Sequence, residues 1–369
     1  MITTNALPLL LETFKYFRDM PKFLHTSDFH LNALRKFDNY LERAESTLSE
    51  ILSIAKAKAV DFIVVAGDIN DRLDVSHVER RLLSDWLSSA DLPIVLISGN
   101  HDKRSSEIGD SCISYLSSLS SNNKFFEHIV HDGGPAVVNK FGCCFVLLPY
   151  QGWLDQEFFL IMDALRSSFV APIIVIMHEA VYGCKTDTEF TVTKRNQIHL
   201  DQNSFPEVCY WALGDMHKCQ TMLPNAWYCG APHQTRFDET PDKGVLIVDT
   251  ADPCHPEFVP INAIKLVTLD CEPVDGWPAL QQAMVHFHPS SSIILSGALP
   301  SNVKYIPPSS VSIVSTSSKH VQADLFDGLD NILTRCNLQP SLIPLAWRLA
   351  IKLAKHVGIT IPLPERYQE

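Results

Sequence analysis

The apolar residues of this chain fall into short runs, and each run is closed by a polar or glycine-containing turn. Short runs rich in β-branched side chains are typical of strands that are buried on both faces of a sheet. We predict five such strands, at residues 22–26, 62–66, 94–97, 173–177 and 210–213.

The segments between these runs carry apolar residues at helical spacing. Residues 41–59 repeat them every three or four positions, which predicts an amphipathic helix, and residues 78–87 form a second candidate. Because strands and helices alternate, we predict a layered α/β domain over residues 20–262.

The pattern changes after Asn262. Prolines and serine clusters separate shorter apolar runs there, which is typical of small elements joined by loops. We predict three strands and one helix in this stretch, at residues 264–269, 293–295 and 311–314 for the strands and residues 277–286 for the helix. Together they predict a small α+β domain over residues 263–320.

Two terminal segments lie outside these domains. Residues 321–369 contain two helical patterns, and in the second of them Arg348, Lys352 and Lys355 share one stripe. The stripe is either a solvated face or a surface that contacts a partner or DNA. Residues 1–19 form an N-terminal extension to which we assign no role.

The charge of the chain narrows the function classes. Of 369 residues, 46% are hydrophobic and 20% are charged, as in an ordinary globular protein. The net charge is −12, so we do not expect the chain to coat nucleic acid by bulk electrostatics. A nucleic-acid enzyme whose own site holds cations stays compatible with this charge.

Other compositional features bear on the compartment. No apolar run approaches the ~20 residues of a membrane-spanning helix, so we expect a cytoplasmic protein, in a host cell if the chain is phage-encoded. The ten cysteines include no Cys-x-x-Cys pair, which disfavours a structural zinc site. Free cysteines in a reducing compartment are the expected state.

Polar residues able to bind a metal follow each of the five predicted strands. They are Asp28 and His30, then Asp68, then Asn100, His101 and Asp102, then His178, and finally Asp215 and His217. Because the carboxyl ends of strands in an open α/β sheet converge on one crevice, we expect these side chains to meet there.

One such residue alone would carry little meaning, since Asp68 could equally be a turn residue or a helix cap. Several such residues together are stronger evidence for a metal site. Asp28 and His30 are two positions apart, so extended backbone points both to the same side, and Asp215 and His217 repeat this spacing. Carboxylate, imidazole and amide donors together suit Mn²⁺, Fe²⁺ or Zn²⁺.

The motif order Asp-x-His, Gly-Asp, Gly-Asn-His-Asp, His and Gly-x-x-His resembles that of the calcineurin-like metallophosphoesterases. Residues 26–31 and 210–218 resemble the SbcD-type nuclease subunits of that family, the meiotic-recombination nuclease group, as do Gly230, Glu239 and Lys243 in their local motifs. The resemblance implies a layered core of two β-sheets flanked by helices, with a small α+β capping domain and a helical C-terminal tail.

The resemblance also implies a site with two divalent metal ions, Mn²⁺ with Mg²⁺ or Fe²⁺ as alternatives, and a metal-bound hydroxide as nucleophile. The implied ligands are Asp28, His30 and His217 for one ion, Asn100, His178 and Asp215 for the other, and Asp68 as the bridge. His101 would stabilise developing charge or protonate the leaving oxygen. Asp102 would orient His101, and capping of the following helix is an equal alternative.

One position departs from the family pattern. The family's last motif reads Gly-His-x-His, and Asp215 stands where its first histidine would be. Aspartate is a competent ligand for hard cations, so we expect the ion to be retained. The additional negative charge is expected to hold Mn²⁺ or Mg²⁺ more tightly and to reduce the Lewis acidity of that ion.

Three functions are compatible with these motifs. The first is a DNA exonuclease or endonuclease of an SbcCD-like repair and recombination complex, working as a homodimer with an SbcC-type, SMC-like ATPase that binds residues 321–369. The second is a phosphomonoesterase or small-molecule phosphodiesterase on the same fold, which the nuclease-like residues 210–218 disfavour. The third is a non-catalytic scaffold for the ATPase, which the presence of Asp68, Asn100 and His101 disfavours.

Overall fold

The apolar runs fold as strands. The computed structural model describes residues 20–103, 111–117, 127–150, 156–165, 171–193, 198–201, 205–240, 242–271, 280, 283–287, 300 and 302–305. The strands in these residues are β1 (Lys22–Thr26), β2 (Phe62–Ala66), β3 (Ile94–Ile97), β4 (Ile129–His131), β5 (Ala136–Lys140), β6 (Cys143–Leu148), β7 (Ile173–His178), β8 (Val208–Gly214), β9 (Gln220–Leu223), β10 (Ala226–Tyr228), β11 (Gly244–Asp249), β12 (Glu257–Pro260), β13 (Leu266–Leu269), β14 (Met284–Phe287) and β15 (Val303–Tyr305). The helices are α1 (Tyr40–Ala57), α2 (His77–Ser89) and α3 (Gln156–Leu165).

The five predicted strands are confirmed as β1, β2, β3, β7 and β8. Every residue of β2, β3 and β7 is buried, which explains why these strands read as continuous apolar runs rather than as alternating patterns. Both predicted helices are confirmed as α1 and α2, with ends that differ from the prediction by one or two residues.

Most of the strands form two six-stranded sheets. The first has the order β12-β11-β1-β2-β3-β4, and the second has the order β5-β6-β7-β8-β10-β9. The strands β1 to β4 run parallel to one another, and so do β6, β7 and β8. In register, Ala66 lies opposite Ile97 and Met177 lies opposite Leu213, so the carboxyl ends of these strands lie level.

The two sheets pack face to face with helices outside them. Val64, Phe145 and Ile176 belong to the fully buried layer between the sheets. On the other face of the first sheet, Ile51 of α1 and Leu83 of α2 join a second buried cluster, and α3 packs on the second sheet. This arrangement is the predicted α/β core of two sheets flanked by helices.

A third, smaller sheet follows the core in sequence. It has the order β13-β14-β15 with all strands parallel, and Val285, Phe287 and Val303 form its own buried cluster. The helix predicted for residues 277–286 is wrong at its end, because Met284–Phe287 is β14. Met284 packs in one cluster and Val285 in another, so both faces of this strand are buried and its apolar run resembles a helix segment.

Several predictions fall outside the described residues. These are the strands at 293–295 and 311–314, the helical segment at 321–369 with its basic stripe, and the extension at 1–19. The family resemblance implies a homodimer contact through helices that follow the Gly-Asn-His-Asp motif, and residues 104–110 and 118–126 of that segment also fall outside the described residues. The proposed domain boundaries at 20–262 and 263–320 therefore stay predictions. In the described part of the chain, every cysteine is free and the helices are too short or too polar to cross a lipid bilayer.

Candidate metal centre

The predicted site residues meet at the carboxyl ends of strands from both sheets. The first sheet contributes the residues after β1, β2 and β3, and the second contributes His178 at the end of β7 and the residues after β8. Seven of these side chains, all of them predicted metal ligands, lie together in two adjoining groups: Asp28, His30, Asp68, Asn100, His178, Asp215 and His217.

The backbone is strained where the ligands leave their strands. Asp28, His30, Asp68 and Asp215 have φ angles of 54°, 43°, 51° and 95°. Residues other than glycine rarely adopt positive φ, because the Cβ atom crowds the backbone. Such strain persists where the surrounding fold over-determines it, and it concentrates at functional sites.

The first group of donors contains Asp28, His30 and His217. The Nε2 atoms of His30 and His217 are 3.1 Å apart, and His217 Nε2 is 4.0 Å from Asp28 Oδ1. One donor atom from each of the three residues lies within 4.8 Å of the others. The three donors therefore converge closely enough to share one cation.

The second group is centred on His178. Its Nδ1 lies 2.7 Å from the carbonyl oxygen of Ala66, which can only accept, so Nδ1 carries a proton. Burial opposes protonation of His178, but the nearby Asp68 carboxylate outweighs it and holds the pKa of the ring well above its ordinary value. The protonated Nε2 donates to Asn100 Oδ1, 2.9 Å away, and lies 3.9 Å from Asp215 Oδ1. A cation that displaced this proton would meet one nitrogen and two oxygen donors, so the donor set fits a metal ion.

Asp68 lies between the two groups. Its Oδ1 is 3.4 Å from His178 Nε2 and its Oδ2 is 3.5 Å from His30 Nε2. Burial favours the protonated form of Asp68, but the charges of His178 and then His30 outweigh it, and the pKa of Asp68 lies below its ordinary value. One carboxylate oxygen thus faces each group, which is the geometry that a bridging ligand requires.

Glycines allow this close approach. A Cβ atom on Gly99 would overlap the carboxylate and backbone nitrogen of Asp68, and one on Gly214 would overlap the carbonyl oxygen of Ala66. A Cβ on Gly67 would overlap the His178 ring. The glycines beside the ligand motifs are therefore required for space at the site, in addition to their role in turns.

His101 lies at the open side of the cluster. Its backbone nitrogen donates to Asp68 Oδ1 at 2.9 Å, and its ring packs against His30 with centroids 4.8 Å apart. Its side chain is 42% exposed, whereas those of His30 and His178 are almost fully buried. A substrate arriving from solvent would therefore reach His101 before the deeper ligands.

The ring of His101 is held by Asp71, a residue near the motifs to which the sequence assigned no role. Nδ1 of His101 lies 2.9 Å from the backbone carbonyl oxygen of Asp71. The Asp71 carboxylate lies 3.5 Å from His30 Nδ1 and 3.8 Å from His101 Nδ1. The sequence signal was only an acid three residues after Asp68, and nothing in that spacing shows which ring it serves.

Asp102 occupies a different place from the one expected for it. Its buried carboxylate accepts from the backbone nitrogens of Ile69 and Gly99 at 3.0 Å and of Asn70 at 2.9 Å. These contacts tie the Gly-Asp loop after β2 to the Gly-Asn-His-Asp loop after β3. Among the described residues it is Asp71, rather than Asp102, that contacts the His101 ring. The alternative role as a cap falls on residues 104–110, which lie outside the described chain.

Asp215, the departure from the family pattern, lies beside other carboxylates. Burial, followed by the nearby charges of Asp28 and Asp68, raises its pKa to about 6, although His178 and His217 act in the opposite direction. Its side chain is 24% exposed, so it lies nearer to solvent than Asp68. A bound cation would therefore stabilise the ionised form of the Asp215 carboxylate.

Behind His217 lies Glu239, another residue without a predicted role. His217 Nδ1 is 2.9 Å from Glu239 Oε1, which leaves Nε2 directed at the cluster. Burial disfavours ionisation of Glu239, but the hydrogen bond from His217 and the charge of Lys243 lower its pKa below the ordinary range. The signal in the sequence was the motif that contains Glu239, which resembled the nuclease branch but implied no function.

Comparison with known proteins agrees with this geometry. Residues 21–219 match the family model described as calcineurin-like phosphoesterase. The chain is 25% identical over 272 residues to a Staphylococcus epidermidis protein named as the D subunit of the nuclease SbcCD, covering 66% of this chain and 70% of that one. A protein of the same name from Bacillus subtilis is 24% identical over 257 residues, covering 62% of this chain and 66% of that protein.

A solved dimetal phosphatase from Danio rerio superposes with a TM-score of 0.41 at 14% identity, over 63% of this chain and 93% of that one. The family model alone spans more than half of the chain and contains every strand end that carries a donor. This chain belongs to the calcineurin-like phosphoesterases, a family of metal-dependent phosphoester hydrolases with a dinuclear metal centre.

Proposed function

We propose that this protein is a two-metal phosphodiesterase that cleaves DNA. The observation that carries the proposal is the convergence of two donor groups on opposite oxygens of Asp68. Nuclease activity is the finer part of the proposal, and it is supported by the two relatives that are named as parts of a nuclease.

In the proposed site, Asp28, His30 and His217 hold one ion, Asn100, His178 and Asp215 hold the other, and Asp68 contacts both. Bound divalent ions supply the positive charge that polarises a phosphoester and lowers the pKa of coordinated water. Mn²⁺ is the ion that we propose, with Mg²⁺ or Fe²⁺ as alternatives, because the donors mix oxygen and imidazole nitrogen.

The chain's own proton-transfer group in this proposal is His101. Since the Asp71 carbonyl accepts from Nδ1, Nε2 is the ring atom that remains to act on a substrate. From its partly exposed position it can stabilise developing charge on the phosphate or give a proton to the leaving oxygen. Asp71 sets the ring orientation that makes Nε2 available.

The net charge of the chain and the names of the relatives support a proposed substrate and partner. A chain with a net charge of −12 gains no bulk attraction to DNA, so a second protein that holds DNA would complete the function. We propose an SbcC-type, SMC-like ATPase as that partner, in a DNA repair or recombination complex that contains two copies of this chain. The proposed docking region is residues 321–369, and deletion of residues 342–369 should abolish ATPase binding if the basic stripe provides the contact.

The test is nucleotide release from linear duplex DNA by the purified chain in Mn²⁺. We expect release that a chelator abolishes and that His101→Ala reduces by about 10²- to 10⁴-fold, the usual contribution of a general acid or base. His255→Ala is the matched control, because His255 is 80% exposed and pairs only with Asp252 among the described residues.

The possible results distinguish a nuclease, a hydrolase of smaller esters and a non-catalytic scaffold. Loss of release in the chelator and in His101→Ala, but not in His255→Ala, would support the nuclease. Hydrolysis of a bis-aryl phosphate without DNA cleavage, even after the ATPase is added, would contradict DNA as the substrate and favour a smaller ester. Mn²⁺ binding without hydrolysis of either substrate would favour the scaffold.

A further inference from the structure

A buried network of charged residues lies behind His217, on the side away from the proposed metals. Its first member is Glu239, whose side chain is fully buried and whose Oε1 lies 2.9 Å from His217 Nδ1. Because this carboxylate accepts the Nδ1 proton, Nε2 is the ring nitrogen that faces His30 and Asp28. The network thus determines which nitrogen of His217 is offered to the site.

Both carboxylate oxygens of Glu239 have hydrogen-bond or ion-pair partners. Oε1 also accepts from the hydroxyl of Thr235, and Oε2 accepts from the Thr235 backbone nitrogen at 3.0 Å. The ammonium of Lys243 lies 2.9 Å from Oε2. A carboxylate with this many partners is fixed in place, so it can hold the imidazole of His217 in one orientation.

The ammonium group of Lys243 is the positive charge of this network. Its side chain is 3% exposed, and its Nζ lies 3.4 Å from Asp187 Oδ1 and 2.9 Å from the backbone oxygen of His217. Asp187, Glu239 and His217 are close enough to bind a metal of their own. The ammonium of Lys243 already neutralises these carboxylates, which argues against a third ion there.

We propose that Glu239 and Lys243 are positioning residues that orient His217 and determine which ring nitrogen it offers to a metal. Lys243 holds Glu239, Glu239 holds the His217 ring, and the negative charge of Glu239 makes Nε2 a stronger donor. This proposal rests on the role of His217 as a metal ligand in the proposed function. It assigns neither residue a contact with substrate.

The test is Mn²⁺ binding to metal-free protein, measured by titration calorimetry. In Glu239→Ala we expect the ion that His217 binds to lose affinity by about 10- to 100-fold, the usual effect of removing a carboxylate behind a ligating histidine. The ion held by Asn100, His178 and Asp215 should lose less affinity than the first ion, because the hydrogen bonds and ion pairs of Glu239 within the described residues reach none of these three ligands. Glu239→Gln keeps an acceptor oxygen and should recover part of the loss.

A matched control separates positioning from folding. Glu79 is also buried and is paired with Arg35, but its hydrogen bonds and ion pairs within the described chain reach no proposed metal ligand. Glu79→Gln should lower the melting temperature and leave both Mn²⁺ affinities unchanged. Lys243→Met provides a second variant of the network if Glu239→Ala does not fold.

A measurement on the unmodified protein needs no folded variant. In long-range proton–nitrogen spectra of protein loaded with Zn²⁺, His217 should show a protonated Nδ1 and an unprotonated Nε2. The opposite tautomer would overturn the proposal, as would unchanged Mn²⁺ affinity in folded Glu239→Ala. If the unmodified protein bound no Mn²⁺ at all, the proposed function would fail first, so the two failures are distinguishable.

Discussion

At the scale of single residues, Asp215 has the most testable electrostatics. Its pKa is raised to about 6 by burial and by neighbouring carboxylates, whereas an aspartate in an unfolded chain titrates near ~3.9. An acid whose pKa is raised on folding contributes stability below its unfolded pKa and loses that contribution as the pH rises through its folded pKa. Ionised Asp215 therefore destabilises the metal-free protein near neutral pH.

We expect Asp215→Asn to stabilise the metal-free protein and to weaken Mn²⁺ binding. The gain in melting temperature should be near zero below about pH 4, should grow as the pH rises through about 6, and should then level off. Melting curves in a chelator between these pH values measure it. Asp85→Asn, at a carboxylate that is 68% exposed, should show no such dependence, and a flat difference for Asp215→Asn would contradict the assigned pKa.

Gly99→Ala tests the close packing of the Gly-Asn-His-Asp loop. The added Cβ would meet the backbone nitrogen of Asp68 as well as its carboxylate, so a side-chain rotation alone cannot relieve the overlap. We expect a loss of about 1–3 kcal/mol in unfolding free energy and a large loss of Mn²⁺ affinity. The measurements are denaturant unfolding and calorimetry, and the neighbouring buried Ser98→Ala should change neither.

The positions of Asp28, His30, Asp68, Asn100 and His178 at the ends of buried strands were sufficient to predict that they meet, although Asp28 and His30 have positive φ instead of the extended backbone expected from their spacing. Parallel strands of one sheet end at the same edge, and the packing of the two sheets brings His178 of the second sheet alongside. The contact between His101 and Asp71 could not be predicted, because it uses a backbone carbonyl 30 residues away and any residue type supplies one. The hydrogen bonds of Asp102 could not be predicted for the same reason, since its partners are backbone nitrogens.

At the scale of elements, the start of α2 is set by a capping box. Ser76 accepts from the backbone nitrogen of Glu79 at 3.3 Å, and Glu79 accepts from the backbone nitrogen of Ser76 at 2.7 Å. Glu79 also pairs with Arg35 of the loop that follows His30. The cap therefore fastens α2 to the loop that leaves the site.

Ser76→Ala should lower the unfolding free energy by about 1 kcal/mol, the usual effect of removing a serine cap. Urea unfolding followed by circular dichroism measures it. Ser53→Ala, within α1, is the control: Ser53 is exposed and bonds only the preceding turn, and alanine favours helix. A Ser76→Ala protein as stable as Ser53→Ala would mean that the cap is not formed in solution.

The sequence predicted the central strands well because they are buried on both faces and therefore consist only of apolar residues. It predicted β14 as the end of a helix for a related reason. Three apolar residues in a short run fit either element, and only the pairing with β13 and β15 decides between them. That pairing joins segments that are distant in sequence, so no local pattern reports it.

At the scale of the whole molecule, bound metal should be a major source of stability. Three carboxylates of the candidate centre, those of Asp28, Asp68 and Asp215, lie close together at the carboxyl ends of the strands. An ion that binds only the folded state stabilises it by about 2.7 kcal/mol when its concentration is a hundred times its Kd. Cations therefore both offset this repulsion and shift the folding equilibrium.

We expect a chelator to lower the melting temperature by roughly 5–10 °C relative to protein with excess Mn²⁺. Differential scanning calorimetry with and without the ion measures the difference. The effect should be strongly reduced in Asp68→Asn, which removes the charge that faces both donor groups. Equal melting temperatures in the two conditions would mean that the fold does not hold the ion.

The central claim is that Asp68 lies between two metal ions. Anomalous diffraction from crystals soaked in Mn²⁺ tests this directly, because it locates each ion without reference to activity. We predict two peaks about 3.5–4 Å apart, one beside Asp28, His30 and His217 and the other beside Asn100, His178 and Asp215. A single peak, or peaks that do not contact Asp68, would contradict the claim.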